Sequence, residues 1–163
     1  YLRDPDYNGI ELYRDRPRNE WPRLGDGTLA MMSDPLDTRG IVNESNGAGG
    51  LDAETRLGHV HMHVADIADG ETFYRDTMGL NLIQRMFPSA SFLAAGDYHH
   101  HVGINIWAGT RIAPANATGM TQYRWRTSAA SMKELAGQVG SDEGSEEITL
   151  TDPAGVNVVI GYK

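Results

Sequence analysis

The six histidines of this chain of 163 residues fall in two short runs, His59-Val60-His61-Met62-His63 and His99-His100-His101. A neutral imidazole near pH 7 can take or give a proton, and it is also a common ligand of iron, zinc and manganese. With no cysteine in the chain, thiolate metal sites and disulfides are excluded, and His, Asp and Glu remain as the available ligands. Two histidines and one carboxylate with open positions would let ferrous iron hold a substrate and oxygen together. The acid has to come from outside both runs. One segment offers it: Asp4-Pro5-Asp6-Tyr7-Asn8-Gly9-Ile10-Glu11-Leu12-Tyr13 reads as a turn followed by a strand with one inward carboxylate. A weaker copy closes the sequence, Asp152-Pro153-Ala154-Gly155-Val156-Asn157-Val158-Val159-Ile160-Gly161-Tyr162, in which Val159 stands where Glu11 stands in the first.

The elements that would position these groups follow from periodicity. His59 to Val64 alternates strictly, which predicts a strand with Val60, Met62 and Val64 on one face and three histidines on the other. Asp66 is an expected N-cap, with helical spacing over Phe73, Thr77 and Leu80 and over Tyr74 and Met78, and Gly79 as the stop. Leu82–Phe87, Ser91–Ala95 and His99–Trp107 read as three more strands. Alternation on the last puts His99, His101, Asn105 and Trp107 on one face, with His100, Val102, Ile104 and Ile106 opposite. If the sheet curls so that both polar faces line one hollow, five imidazoles converge. A single strand histidine is commonly no more than a polar face bonded to a neighbouring strand; five on two predicted inward faces point to a polar pocket. Met120 and Met132 read as core, Trp21 as a packing anchor, and Glu143, Glu146 and Glu147 as a solvated charge cluster.

The order recurs in the last third. Met120–Arg126 predicts a strand, Ser131 with Glu134 a capping box, and Met132, Leu135 and Val139 one helical face stopped by Gly140. Strands follow at Glu147–Thr151 and Val156–Tyr162, and a further one is expected near Gly137–Gly144, where the pattern is weak. The expected architecture is α+β, with paired βαβββ units forming a curled mixed sheet over residues 57–163 (57–112 and 118–163). Residues 14–56 carry scattered Pro and Gly and a loose Ser45–Gly50 stretch, and read as a connector crossing a folded body. Residues 1–13 read as the closing strand of a preceding domain otherwise absent from the sequence. A net charge of −8 and a pI near 5.1 argue against an electrostatic nucleic-acid binder. No run is long and apolar enough to cross a bilayer as a helix. The lack of cysteine fits a reducing, cytoplasmic compartment.

The sequence resembles the vicinal-oxygen-chelate superfamily of glyoxalases, bleomycin-resistance proteins and extradiol dioxygenases, above all two-domain proteins of the catechol-2,3-dioxygenase type. The resemblance is carried by Asp4 to Pro17, by Gly58-His59-Val60-His61-Met62-His63-Val64-Ala65-Asp66, by Phe73-Tyr74-Arg75-Asp76-Thr77-Met78-Gly79-Leu80 and by Tyr98-His99-His100-His101-Val102-Gly103-Ile104-Asn105. It implies two βαβββ units curled around a divalent metal, iron(II) or manganese(II). It implies that His59 is the first-strand ligand, that Gln122 stands at the next ligand position, and that Val159 replaces the last carboxylate. Glu11 matches the carboxylate ligand of the preceding domain, and His101 the acid–base histidine of ring-cleaving relatives.

Three functions follow as expectations. One is part of an oxidoreductase that inserts dioxygen into a catechol-like ring, with the isolated chain inactive. Another is a non-catalytic binding module whose pocket of His61, His63, His99, Asn105 and Trp107 holds an aromatic guest. The third is a metal-dependent lyase of the glyoxalase kind. The expected partner is a small aromatic molecule, and the unpaired edge of the Glu11 strand predicts a homodimer.

Overall fold

The computed structural model describes residues 1–162 except 32, 33, 48, 87, 112 and 115. Phe87, the predicted end of one strand, and Ile112, the predicted end of the first unit, lie outside the described residues. A short hairpin opens the chain, β1 (Leu2–Arg3) against β2 (Gly9–Ile10). Asp4 builds its turn, accepting from the backbone N–H groups of Asp6 and Asn8. The strand predicted to run on to Tyr13 stops at Ile10.

The first unit has the predicted order. β3 (Val60–His63) leads into α2 (Ile67–Glu71), α1 (Thr38–Glu44) having come earlier, in the connector. Asp66 caps α2 through the N–H groups of Ala68 and Asp69. The helix then widens to a π-helical turn over Thr72–Thr77 and ends at Gly79, whose φ of +73° suits glycine. Three strands follow: β4 (Asn81–Met86), β5 (Ala90–Ala94) and β6 (Val102–Asn105). The sheet order is β3-β6-β5-β4, with β3 parallel to β6 and the other pairs antiparallel. Gly70 lets the helix settle on this sheet, because a Cβ there would meet Ile104 Cδ1 at 2.6 Å.

The second unit is shorter than expected. β7 (Gln122–Arg126), α3 (Ala129–Val139), β8 (Glu147–Thr151) and β9 (Asn157–Gly161) form a sheet ordered β7-β9-β8. β7 again runs parallel to the last strand of its unit, so both units share one layout. The strand expected near Gly137–Gly144 is absent, and the unit is βαββ. Helix occupies that stretch as far as Val139, Gly140 closes it with a left-handed φ of +70°, and Asp142 binds the N–H of Gly144 in a turn. The cap of α3 also differs from expectation: Ser128, not Ser131, accepts the N–H of Ser131. An Oγ three residues earlier reaches the free donors of the first turn, and Ser131 already lies inside the helix.

The two sheets share one core. Val64, Tyr74, Leu93, Val102 and Ile104 pack in the same cluster as Tyr123, Met132, Leu135, Ile148, Val158 and Ile160. A buried polar bridge crosses that core: the Tyr74 hydroxyl donates to Asp152 Oδ2 at 2.6 Å and lies 2.8 Å from the Tyr123 hydroxyl. The connector lies on the first unit. Leu29 is buried, the Arg18 guanidinium binds Asp97, and Gln84 Nε2 donates to the Met31 carbonyl at 3.1 Å. Among the described residues no helix is long and apolar enough to cross a membrane.

Candidate functional site

The alternation of β3 holds as predicted, with Val60 and Met62 buried beneath the sheet. His61 pairs in register with Gly103, and His63 with Asn105. Gly103 leaves room for the imidazole opposite, since a Cβ there would come within 2.9 Å of His61 Nδ1. The His61 ring lies 5.4 Å from the Trp107 ring and 6.0 Å from that of Phe92. His63 Nδ1 is 3.4 Å from Asn105 Oδ1, while its Nε2 is buried with no hydrogen-bond partner among the described residues.

The second histidine run departs from the prediction. β6 begins only at Val102, so His99, His100 and His101 precede the strand and Trp107 follows it. They occupy the end of the β5–β6 connection after Gly96, whose φ is +66°. Backbone there is not held to period-two alternation, and neighbouring rings can gather on one side. His100, assigned by alternation to the opposite face, stands with its ring 4.3 Å from that of His59 and 5.1 Å from that of Phe92. Burial and the nearby rings of His59, His99, His61 and His101 push its pKa down to about 3, so it is neutral near pH 7. Sequence reasoning missed this residue. The signal was the uninterrupted triplet, which fits a turn better than a strand.

His101 is already engaged: its Nδ1 accepts the N–H of Ala95 at 3.2 Å, and its ring packs against Tyr98 and Trp125. Trp107 is exposed, its N–H donating to Asn105 Oδ1 at 3.0 Å. Gln122 is exposed at the start of β7, paired in register with Asn157. Val159 is buried in β9 and offers no donor atom.

Glu11 and His59 meet although they stand far apart in sequence. Oε2 of Glu11 lies 3.4 Å from Nε2 of His59, whose side chain is 9% exposed. Desolvation lowers the His59 pKa, partly offset by the Glu11 charge. Tyr13 stacks on the His59 ring at 5.4 Å, its hydroxyl 3.4 Å from Nδ1. From there a chain of polar contacts runs back into the connector. The hydroxyls of Tyr13 and Tyr98 are 3.1 Å apart, Tyr98 donates to Asp15 Oδ2 at 2.8 Å, and His99 Nε2 is 3.0 Å from Asp15 Oδ1. Trp21 packs on the His99 ring at 5.3 Å. A cavity of about 120 Å³ opens beside this stack, lined by Trp21, Pro22, Leu29, Ala30, Met31 and His99. Of the five residues expected to line a pocket, only His99 borders it.

Glu11 and His59 provide one carboxylate and one imidazole of the kind that binds divalent iron or manganese. Among the described residues no group of three His, Asp or Glu side chains could hold a metal ion. The pair is part of a donor set and does not complete one.

No family model matches the chain. A catechol-2,3-dioxygenase of Bacillus subtilis (strain 168) is 41% identical to it over 128 residues, which is 76% of this chain and 45% of that protein. A lactoylglutathione lyase from Agrobacterium tumefaciens shares its fold at a TM-score of 0.50 and 19% identity, covering 68% of this chain and 96% of the other. The chain belongs to the vicinal-oxygen-chelate superfamily. An integron cassette protein from the mobile metagenome of the Halifax Harbour sewage outfall matches at a TM-score of 0.50 and 12% identity, over 67% of this chain and 99% of the other. These two likenesses concern the fold. As a member of the superfamily the chain spans less than half the length of its curated relative, and the α+β plan with curled mixed sheets is the one expected from its sequence.

Proposed function

We propose that this chain is the ring-binding part of a catechol-2,3-dioxygenase-type oxidoreductase, holding a catechol-like aromatic among His59, His99, His100 and the aromatic residues around them. The observation that carries this reading is the 3.4 Å approach of Glu11 to His59 beneath Tyr13. That approach sets an acid and a neutral base side by side in a cluster of rings. Neutral imidazoles accept the hydroxyl protons of a phenolic guest, and the rings of Tyr13, Trp21 and Phe92 offer faces and edges to its ring. Identity to a catechol-2,3-dioxygenase supports the choice of guest.

A divalent iron or manganese ion would need donors beyond Glu11 and His59, so the chain's own contribution is binding, orientation and proton acceptance. Among the described residues Glu11 and His59 supply only part of a donor set, which supports guest binding as this chain's share of the work. Residues 1–13 would then close a neighbouring domain that completes the site, and the short β1–β2 hairpin offers an edge for pairing with a second copy. The absence of cysteine supports a cytoplasmic setting.

Titration calorimetry with catechol, paired with an assay for the yellow ring-cleavage product after anaerobic iron(II) loading, tests the reading. Catechol should bind the wild-type chain and bind at least tenfold more weakly to His59→Ala and His100→Ala, with no cleavage product. Absence of binding, or binding unchanged by both substitutions, would overturn it. Cleavage by the chain itself would show that its site is complete.

A further inference from the structure

The two units share one layout but differ at one edge. In the first sheet β4 lies along the outer side of β5. In the second, ordered β7-β9-β8, no strand among the described residues lies along the outer side of β8. The turn of Asp142 and Gly144 stands where a covering strand would be.

Hydrogen-bond parity says which groups β8 leaves open. Bonded and non-bonded pairs alternate along an antiparallel ladder. At the end of this one the Asp152 N–H donates to the Val156 carbonyl at 2.9 Å, so the bonded pairs before it are Leu150–Val158 and Ile148–Ile160. The other side of β9 agrees. The Asn157 N–H donates to the Thr121 carbonyl and the Gly161 carbonyl accepts from Thr127, both towards β7. Glu147, Thr149 and Thr151 therefore turn their backbone N–H and C=O groups to the outer edge, and all three residues are exposed. The strand has no proline and its register with β9 is unbroken. Its one charge, Glu147, stands at the end and is paired with Arg124. Little guards this edge against another strand.

We infer that a second copy of this chain pairs antiparallel along the outer edge of β8, joining the two second-unit sheets into one. About a twofold axis at Thr149, Thr149 meets its own counterpart and Glu147 meets Thr151 of the second copy. On the core side Ile148 meets Leu150, whose half-buried side chain gains cover. At roughly 3.3 Å per residue the two Glu147 side chains stand roughly 13 Å apart, beyond a Debye length of about 8 Å at physiological salt. β7 offers no such match, because self-pairing about its centre sets Arg124 against Arg124. β4 has a register break between Leu82 and Gln84, and Gln84 already binds the connector at Met31. Each strand of the β1–β2 hairpin has two residues against the five of β8. The pairing is independent of any guest in the histidine cluster.

Sedimentation velocity of the full chain over a concentration series, with amide exchange at both ends of the series, tests this. The wild type should pass from one chain to two as concentration rises. The N–H groups of Glu147, Thr149 and Thr151 should then gain protection, while those of Ile148 and Leu150, already bonded to β9, should change little. Thr149→Pro deletes an N–H that β9 does not use, and Thr149→Lys sets like charges at the axis. Each should keep the wild-type circular dichroism and raise the dissociation constant about tenfold or more. An equimolar mixture of Thr149→Lys and Thr149→Glu should recover the dimer, and Leu2→Pro, in the hairpin, should dimerise as the wild type does. Should Thr149→Pro fail to fold, Thr149→Lys and its mixture carry the test. A wild type that stays monomeric up to millimolar concentration, a dimer unaffected by Thr149→Lys, or a dimer lost in Leu2→Pro would overturn the inference.

Discussion

Gly58 lies so close under the Tyr13 phenol that a Cβ placed on it would stand 1.7 Å from the hydroxyl oxygen. The connector is thus seated on the entry to β3 by the absence of one side chain, and the Tyr13–His59 stack depends on that seat.

Gly58→Ala should push Tyr13 off His59 and free the adjoining connector. Overpacking of this kind costs about 1–3 kcal/mol, and here the displaced group is an exposed strap, so the lower part of that range applies. Hydrogen exchange should speed up across residues 11–21 with little change in β5 and β6. Gly9→Ala, with no atom within 4 Å of its added Cβ, is the matched control. Equal exchange in both variants would show that the seat does not hold the strap.

Glu11 and His59 should account for what divalent-metal affinity the chain has. Removing a direct ligand weakens binding at least as much as removing a supporting contact, which typically costs about 10–100-fold. Manganese(II) titrations followed by electron paramagnetic resonance should therefore show weak uptake that falls about tenfold or more in Glu11→Gln and in His59→Ala. Gln122→Ala should leave it unchanged, because Gln122 is exposed at the start of β7, opposite Asn157. A loss in Gln122→Ala would restore the ligand position that the family resemblance gave it.

How far the sequence could be read depended on how regular each segment is. β3 was legible because four residues alternate between buried and open faces, and α2 because Asp66 and Gly79 bracket it with side-chain and backbone chemistry that acts locally. The histidine triplet was misread because alternation was extended through a turn. The second unit lost a predicted strand because repeat logic supplied one where Gly140 and Asp142 make a stop and a turn. Asp15 and Tyr98 were invisible as site residues. Their roles arise from a contact between a connector and a hairpin end, and no local spacing encodes such a contact.

Glu71 should make stability sensitive to acid. It is 5% exposed, paired with the Arg85 guanidinium and accepting the Ser91 hydroxyl at 2.6 Å. The hydrogen bonds from Arg85 are the main cause of a pKa below its ordinary 4.5, against the opposing effect of burial. The unfolded chain therefore takes up this proton first as pH falls. The contribution of Glu71 is whole above about pH 4.5 and is lost as pH drops through the depressed folded value. Glu71→Gln should cost about 1–3 kcal/mol at neutral pH and flatten urea midpoints in the acid range relative to wild type. Parallel pH profiles for the two proteins would contradict this.

The Tyr74–Tyr123–Asp152 bridge should govern whether the two units unfold together. Tyr74 belongs to the π-helical turn of the first unit, whereas Tyr123 on β7 and Asp152 after β8 belong to the second. Burial is the leading cause that raises the pKa of both phenols, so neither ionises in the folded protein at ordinary pH. Tyr74→Phe keeps the ring in the core and removes one hydroxyl. It leaves the Tyr123 hydroxyl without its partner, and it takes one donor from Asp152, which keeps the N–H groups of Ala154 and Val156. An unmatched buried hydroxyl costs about 1–3 kcal/mol. The double variant Tyr74→Phe with Tyr123→Phe removes both partners and should recover part of that loss, because no phenol is then left unpaired. Urea unfolding followed separately by hydrogen exchange in β5 and in β9 would show it. In the wild type both strands should open with one free energy, and in Tyr74→Phe β9 should open at a lower one. If the single variant stays coupled at wild-type stability, apolar packing alone joins the two sheets and the bridge adds nothing to it.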